Sequence, residues 1–123
     1  MATILIVDDD KLSIRMLQAL LERNMHDVII ARDGQEGLEK AKTENPDLII
    51  LDVMMPEIDG LKVCRTLKNN FSYNKIPIII HSTLAQEDDL KAGKEAGADA
   101  YITKPFDSKV LLGKVEELLR KSK

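Results

Sequence analysis

Two hydrophobic patterns alternate along the chain. Consecutive branched apolar residues form four runs: Thr3-Ile4-Leu5-Ile6-Val7, Val28-Ile29-Ile30-Ala31, Leu48-Ile49-Ile50-Leu51 and Ile76-Pro77-Ile78-Ile79-Ile80. Short unbroken runs rich in β-branched residues predict strands, and the longer ones predict strands buried on both faces. Pro77 stands at the first residue of its strand, where a missing N–H is tolerated, and that strand continues through His81 to Ser82. A short fifth strand follows at Ala100-Tyr101-Ile102. Between the strands the apolar spacing changes to three and four, which predicts amphipathic helices. The first helix places Leu12, Met16, Leu17, Leu20 and Leu21 on its core face. The second turns Leu38 and Ala41 inward, the third Leu61, Cys64 and Leu67, and the last Leu111, Val115 and Leu118. Gln86 to Glu95 predicts a weak helix, because Leu90 is its one large apolar residue and Gly93 loosens it.

Polar residues punctuate this alternation. Asp10, Asp33 or Gly34, Asp59, and Asp107 or Ser108 open the four stronger helices. Asn45-Pro46-Asp47 ends the second helix, and Asn69 to Lys75 reads as a polar loop. Strand then helix, five times over, implies an α/β fold: parallel strands, right-handed crossovers and helices on both sheet faces.

Composition narrows the class. The 123 residues are 44% hydrophobic and 32% charged, which suits one domain over residues 1–123. Aromatics make up only 3%, so the core is expected to be aliphatic. A net charge of −3 and the lack of a basic stretch argue against direct nucleic-acid binding. Cys64 is the single cysteine, which excludes a disulfide within the chain and a cysteine metal cluster. No signal-peptide pattern and no membrane-length apolar run are visible, so a cytoplasmic location is expected.

Parallel strands bring their C-terminal ends to one edge, where open α/β sheets bind their ligands. The residues there are Asp8, Asp9 and Asp10 after the first strand and Asp52 after the third. Ser82 ends the fourth strand and Lys104 follows the fifth. Carboxylates this close repel one another unless a cation neutralises them. Hard oxygen donors suit Mg²⁺. A divalent ion, an ammonium and a hydroxyl together suit a phosphoryl group, and a carboxylate can itself be the nucleophile that forms an acyl phosphate. The constellation points to Mg²⁺-assisted phosphorylation of an aspartate.

These strand ends, with the loop Met55-Pro56-Glu57-Ile58-Asp59-Gly60 and the run Tyr101-Ile102-Thr103-Lys104-Pro105-Phe106, resemble the receiver domain of two-component response regulators. The resemblance covers essentially the whole chain. It implies a flavodoxin-like (βα)5 three-layer sandwich with strand order 2-1-3-4-5. It further implies Asp52 as phosphoacceptor and Asp9 as a direct Mg²⁺ ligand, with Asp8 as a second ligand or acting through water. The Met54 backbone carbonyl would be a further ligand. Lys104 would bind the phosphoryl group and precede a cis Pro105, while Ser82 and Tyr101 would form the switch pair.

By the same resemblance the partners are a histidine kinase or histidine phosphotransfer protein and a downstream effector. The chain would turn over no metabolite. It is expected to be either a stand-alone regulator or a receiver cut from a longer protein. Asp10 reads as a helix cap and Cys64 as a core residue. His81 departs from the family's usual aliphatic and is expected to be a hydrogen-bonded structural residue. Thr83 departs from a usual small residue and would narrow access to Asp52.

Two other readings fit less well. An aspartate-nucleophile phosphohydrolase resembling the haloacid dehalogenase-like phosphatases needs a second Asp two residues on, where this chain has Met54. A nucleotide-binding module needs a glycine-rich loop after the first strand, where three Asp stand instead.

Overall fold

A computed structural model describes residues 2–55 and 58–122. Pro56 and Glu57 of the expected loop lie outside the described residues. The elements run β1 (Thr3–Val7), α1 (Lys11–Arg23), β2 (Asp27–Ala31), α2 (Gly34–Glu44), β3 (Leu48–Leu51), α3 (Gly60–Lys68), β4 (Ile78–Ser82), α4 (Glu87–Glu95), β5 (Ala100–Thr103) and α5 (Ser108–Lys121). All strand pairs are parallel, in the order β2-β1-β3-β4-β5. The α/β fold and the strand order are as expected.

Strand period two divides the core between the two sheet faces. Ile4 and Ile6 of β1 pack with Ile14, Leu17 and Leu21 of α1 and with Leu111 and Val115 of α5. Leu5 and Val7 face the other way, onto Ala41 of α2 and Val63, Cys64 and Leu67 of α3. The centre of the sheet is buried throughout, because β3 and β4 carry helices on both faces. Cys64 lies in the core as expected, and burial pushes its thiol up to about 11.

The structure corrects two details. Leu12 is 64% exposed and Met16 is also exposed, so the core face of α1 is Ser13, Ile14, Leu17, Leu20 and Leu21. Ser13 is accommodated there because its hydroxyl donates to Asp10 at 2.9 Å. β4 begins at Ile78, one residue after Pro77. The proline has no N–H to give the ladder, although its carbonyl accepts from Ile49 N–H at 3.0 Å. Leu38 and Leu61 are half-buried and pack against the core as expected.

Helix caps agree with the sequence. Asp10, Asp33, Asp59 and Asp107 each accept a backbone N–H at the start of α1, α2, α3 and α5. Asn45 closes α2 in the left-handed region at φ 48°, a conformation Asn tolerates. α4 is the exception in packing: Gly93 is its one buried residue and Leu90 is exposed. A fully buried leucine contributes about 1.5–3 kcal/mol, and α4 has none, so it is held weakly. No helix among the described residues is long and apolar enough to cross a membrane.

Candidate functional site

Sheet register assembles the site. Val7 pairs with both Ala31 and Leu51, so the next residues, Asp8 and Asp52, emerge side by side. Their backbones stay on the ladder, since Asp8 N–H donates to Ala31 O at 3.0 Å and Asp52 N–H donates to Val7 O at 2.9 Å. On the other side Ser82 pairs with Thr103, and Lys104 N–H donates to Ser82 O at 2.8 Å. The strand ends thus carry two carboxylates, a hydroxyl and an ammonium on a rigid edge.

Gly60 backs this edge. Its N–H donates to Val53 O at 3.0 Å, and any Cβ on it would collide with the Asp52 carbonyl oxygen. The first turn of α3 can therefore lie directly against the backbone of Asp52. The Asp59-Gly60 pair was legible as a helix start, but its role behind Asp52 needed the fold.

Asp52 is 5% exposed. Its Oδ1 accepts from Met54 N–H at 3.3 Å and its Oδ2 from Lys104 Nζ at 3.2 Å. The same ammonium donates to Asp8 Oδ2 at 2.9 Å, while Asp8 Oδ1 accepts from Asp10 N–H at 2.9 Å. Burial and then the neighbouring Asp8 charge raise the Asp52 carboxyl above its usual range, and Lys104 and the Met54 N–H only partly offset this. Burial works against the Lys104 cation, but its bonds to Asp8 and the Asp52 charge hold it above the ordinary lysine value.

One carboxylate oxygen each from Asp8, Asp9 and Asp52 lies within 4.8 Å of the others. Asp8 and Asp52 are buried and Asp9 is exposed. An all-oxygen set of this charge, open on one side to solvent, fits a hydrated Mg²⁺. Asp10 is engaged elsewhere as the α1 cap, and the Ser13 hydroxyl and Leu12 N–H hold its carboxyl below the usual range.

Ser82 is buried, and its Oγ accepts from Leu84 N–H at 3.1 Å. The Tyr101 hydroxyl donates to Leu84 O at 2.6 Å. Ser82 and Tyr101 therefore meet on one residue, Leu84. Met54 is 56% exposed, and Thr83 Oγ1 donates to its Sδ at 3.9 Å, linking the β3–α3 and β4–α4 loops across the mouth. Lys104–Pro105 is a cis peptide.

His81 contradicts its expected role. It is 2% exposed, yet neither ring nitrogen has a hydrogen-bond partner among the described residues. Its parity on β4 turns the ring toward the α1 and α5 face, where the Phe106 ring lies 5.6 Å away. It is an orphaned polar residue in an apolar seat.

A stability prediction follows from the Asp52 shift. A carboxyl raised above its unfolded value costs the fold stability wherever it is ionised, and the cost lifts as pH falls through the folded value. Asp52→Asn is expected to raise the thermal midpoint in metal-free buffer at neutral pH by a few degrees, the size of a typical stabilising substitution. The gain should shrink on acidification. Melting curves across a pH series check this; a gain that grows with acid would contradict it.

Residues 4–116 match the response regulator receiver domain family. The chain is 45% identical over 119 residues to the alkaline phosphatase synthesis transcriptional regulatory protein PhoP of Bacillus subtilis, covering 97% of this chain and 49% of that protein. It is 40% identical to protein PilH of Pseudomonas aeruginosa, covering 97% of this chain and 98% of that one. Thus the chain spans about half of PhoP and nearly all of PilH. In structure it superposes on the receiver domain of the Francisella response regulator 1452 with a TM-score of 0.92 at 33% identity, covering 100% of both chains.

Proposed function

The chain belongs to the family of response regulator receiver domains, and on that premise we propose that it is a phosphorylation-driven switch with Asp52 as phosphoacceptor. The observation that carries this is the buried Asp52 carboxylate, bridged by Lys104 and clustered with Asp8 and Asp9 at one sheet edge. A histidine kinase or histidine phosphotransfer protein is the donor. An Asp52 oxygen attacks phosphorus, the bond from phosphorus to the donor nitrogen breaks, and that nitrogen keeps the electron pair. Residues 1–123 act as one receiver domain, placed in the cytoplasm, which signals to an effector protein or domain and turns over no metabolite.

Asp8, Asp9, Asp52 and the Met54 carbonyl would hold Mg²⁺. When bound, the ion supplies positive charge against the phosphoryl oxygens. The chain's own residues do the rest. Lys104 gives up its bridge between the carboxylates and binds a phosphoryl oxygen. Ser82 turns its hydroxyl from Leu84 N–H to another oxygen. Tyr101 then leaves Leu84 O, and the weakly held α4 shifts with the β4–α4 loop. The surface built from α4, β5 and α5 changes, and a partner reads it.

Two measurements test this reading. Mg²⁺ should raise the melting temperature of the wild type but leave Asp9→Ala unchanged. Equal stabilisation of both would place the ion elsewhere. Amide exchange with Mg²⁺ and beryllofluoride, an acyl-phosphate mimic, should change at Ser82, Leu84 and α4. Changes confined to α1 and α2, or seen equally in Asp52→Asn, would contradict the switch.

A further inference from the structure

We propose that Gly93 is a positioning residue for the switch: the side chain missing from α4 seats the Tyr101 ring and so holds the β4–α4 loop at rest. The inference rests on the phosphoacceptor reading and extends it to a residue outside the site.

Three glycines of this chain have different surroundings. Gly97 follows α4 at φ 98°, where an L side chain is strained. Gly113 lies in α5 with open space where a Cβ would project. Gly93 lies inside α4 and is the only glycine of the three walled in by an aromatic ring. A Cβ there would come 2.9 Å from Cδ2 and 3.1 Å from Cε2 of Tyr101, and 3.1 Å from Cδ1 of Ile80. Glycine inside a helix weakens it relative to alanine, and α4 has no buried large apolar residue to compensate. The Tyr101 ring, with Ile80 beside it, leaves no space for a Cβ at this position.

From this seat the contacts run straight to the switch. The seated ring aims its hydroxyl at Leu84 O, 2.6 Å away, and Leu84 N–H is bound to Ser82 Oγ at 3.1 Å. The ring's position on α4 thus sets where Leu84 is held, and the Leu84 N–H, donating to Ser82 Oγ, sets which way that hydroxyl is turned. A methyl at position 93 displaces the ring. A cavity of about 270 Å³ lined by Leu90, Gly93, Ala100 and Tyr101 leaves room for it to shift. The displaced ring lets go of Leu84, and Ser82 becomes free to turn toward a phosphoryl oxygen.

The test is Gly93→Ala in the full chain with Mg²⁺, titrated with beryllofluoride and followed by amide and aromatic resonances. The Leu84 amide and Tyr101 ring resonances should move before any beryllofluoride is added. The titration midpoint should fall about fivefold, at the low end of typical coupling between sites. Gly113→Ala should leave the midpoint unchanged. In a Tyr101→Ala background, Gly93→Ala should lose its effect, because no ring remains to displace.

An unshifted midpoint in Gly93→Ala, or an equal shift in the Tyr101→Ala background, overturns the proposal. Should Gly93→Ala fail to fold, the double variant with Tyr101→Ala must fold if the ring is the obstacle; a double variant that also fails overturns it. A wild type that gives no response to beryllofluoride removes the phosphoacceptor reading itself. A responding wild type beside an unshifted Gly93→Ala removes this inference alone.

Discussion

Replacing Met54 by Asn together with Leu84 by Glu is expected to shorten the lifetime of the phosphorylated chain roughly tenfold, about 1.4 kcal/mol off the hydrolysis barrier. Hydrolysis of an acyl phosphate on Asp52 needs a water in line with the bond from oxygen to phosphorus. Asp52 is buried, and the Met54 side chain stands at its mouth with Thr83 Oγ1 on its sulfur. Leu84 is half-buried in the facing loop. By the family resemblance these two side chains flank the phosphoryl group; neither the thioether of Met54 nor the leucine side chain can orient an attacking water, and the two are expected to exclude it. Asn and Glu would supply an amide and a carboxylate that can hold one. The check is the decay of phosphorylated protein purified away from its kinase, with Mg²⁺ present. A wild-type half-life of seconds, or a double variant no faster than wild type, would rule out water exclusion.

His81→Leu is expected to stabilise the fold by about 2 kcal/mol near neutral pH, within the range for removing a buried polar group that lacks a partner. That corresponds to about 8 °C in thermal midpoint. Burial first, and then the Lys104 charge, lower the His81 imidazole from 6.5 to about 4, with Asp8 opposing. The fold therefore keeps the ring neutral while the unfolded chain takes up a proton below pH 6.5. Stability from this group falls as pH drops from 6.5 toward about 4, by roughly 3 kcal/mol in all. The leucine variant should escape that loss, so its advantage over wild type should widen on acidification. This is the opposite sign to Asp52→Asn, whose advantage narrows. Melting curves of all three proteins between pH 7 and pH 4 separate the two effects. A His81→Leu protein less stable than wild type at pH 7 would mean that the ring has a partner after all.

How much was legible in the sequence depended on whether a feature is local. β1 and β3 could be placed because their unbroken branched runs suit a strand buried on both faces, and β3 carries helices on both. Strand ends follow from strands, so the sequence alone assigns Asp8, Asp52, Ser82 and Lys104 to one edge. The error at α1 arose because period 3.6 leaves a choice of stripe. Leu12 and Met16 share helical spacing with Leu20, but the buried stripe lies one position on, through Ser13, Ile14, Leu17, Leu20 and Leu21. His81 departs from expectation because polar residues in buried strands normally find partners, whereas this one faces Phe106 and the aliphatic side of the sheet. The close approaches of Gly60 to the Asp52 backbone and of Gly93 to the Tyr101 ring join residues far apart in sequence, and no local pattern marks them.

The most direct measurement is phosphoryl transfer itself. Wild type and Asp52→Asn are incubated with Mg²⁺ and a phosphorylated histidine kinase carrying labelled phosphate, and the bond formed is tested for acid and base stability. Wild type should take up label in an acid-stable, base-labile bond, as an acyl phosphate requires. Asp52→Asn should melt cooperatively, showing that it is folded, and take up none. Equal labelling of the Asn variant in a bond of the same stability would contradict the assignment of Asp52.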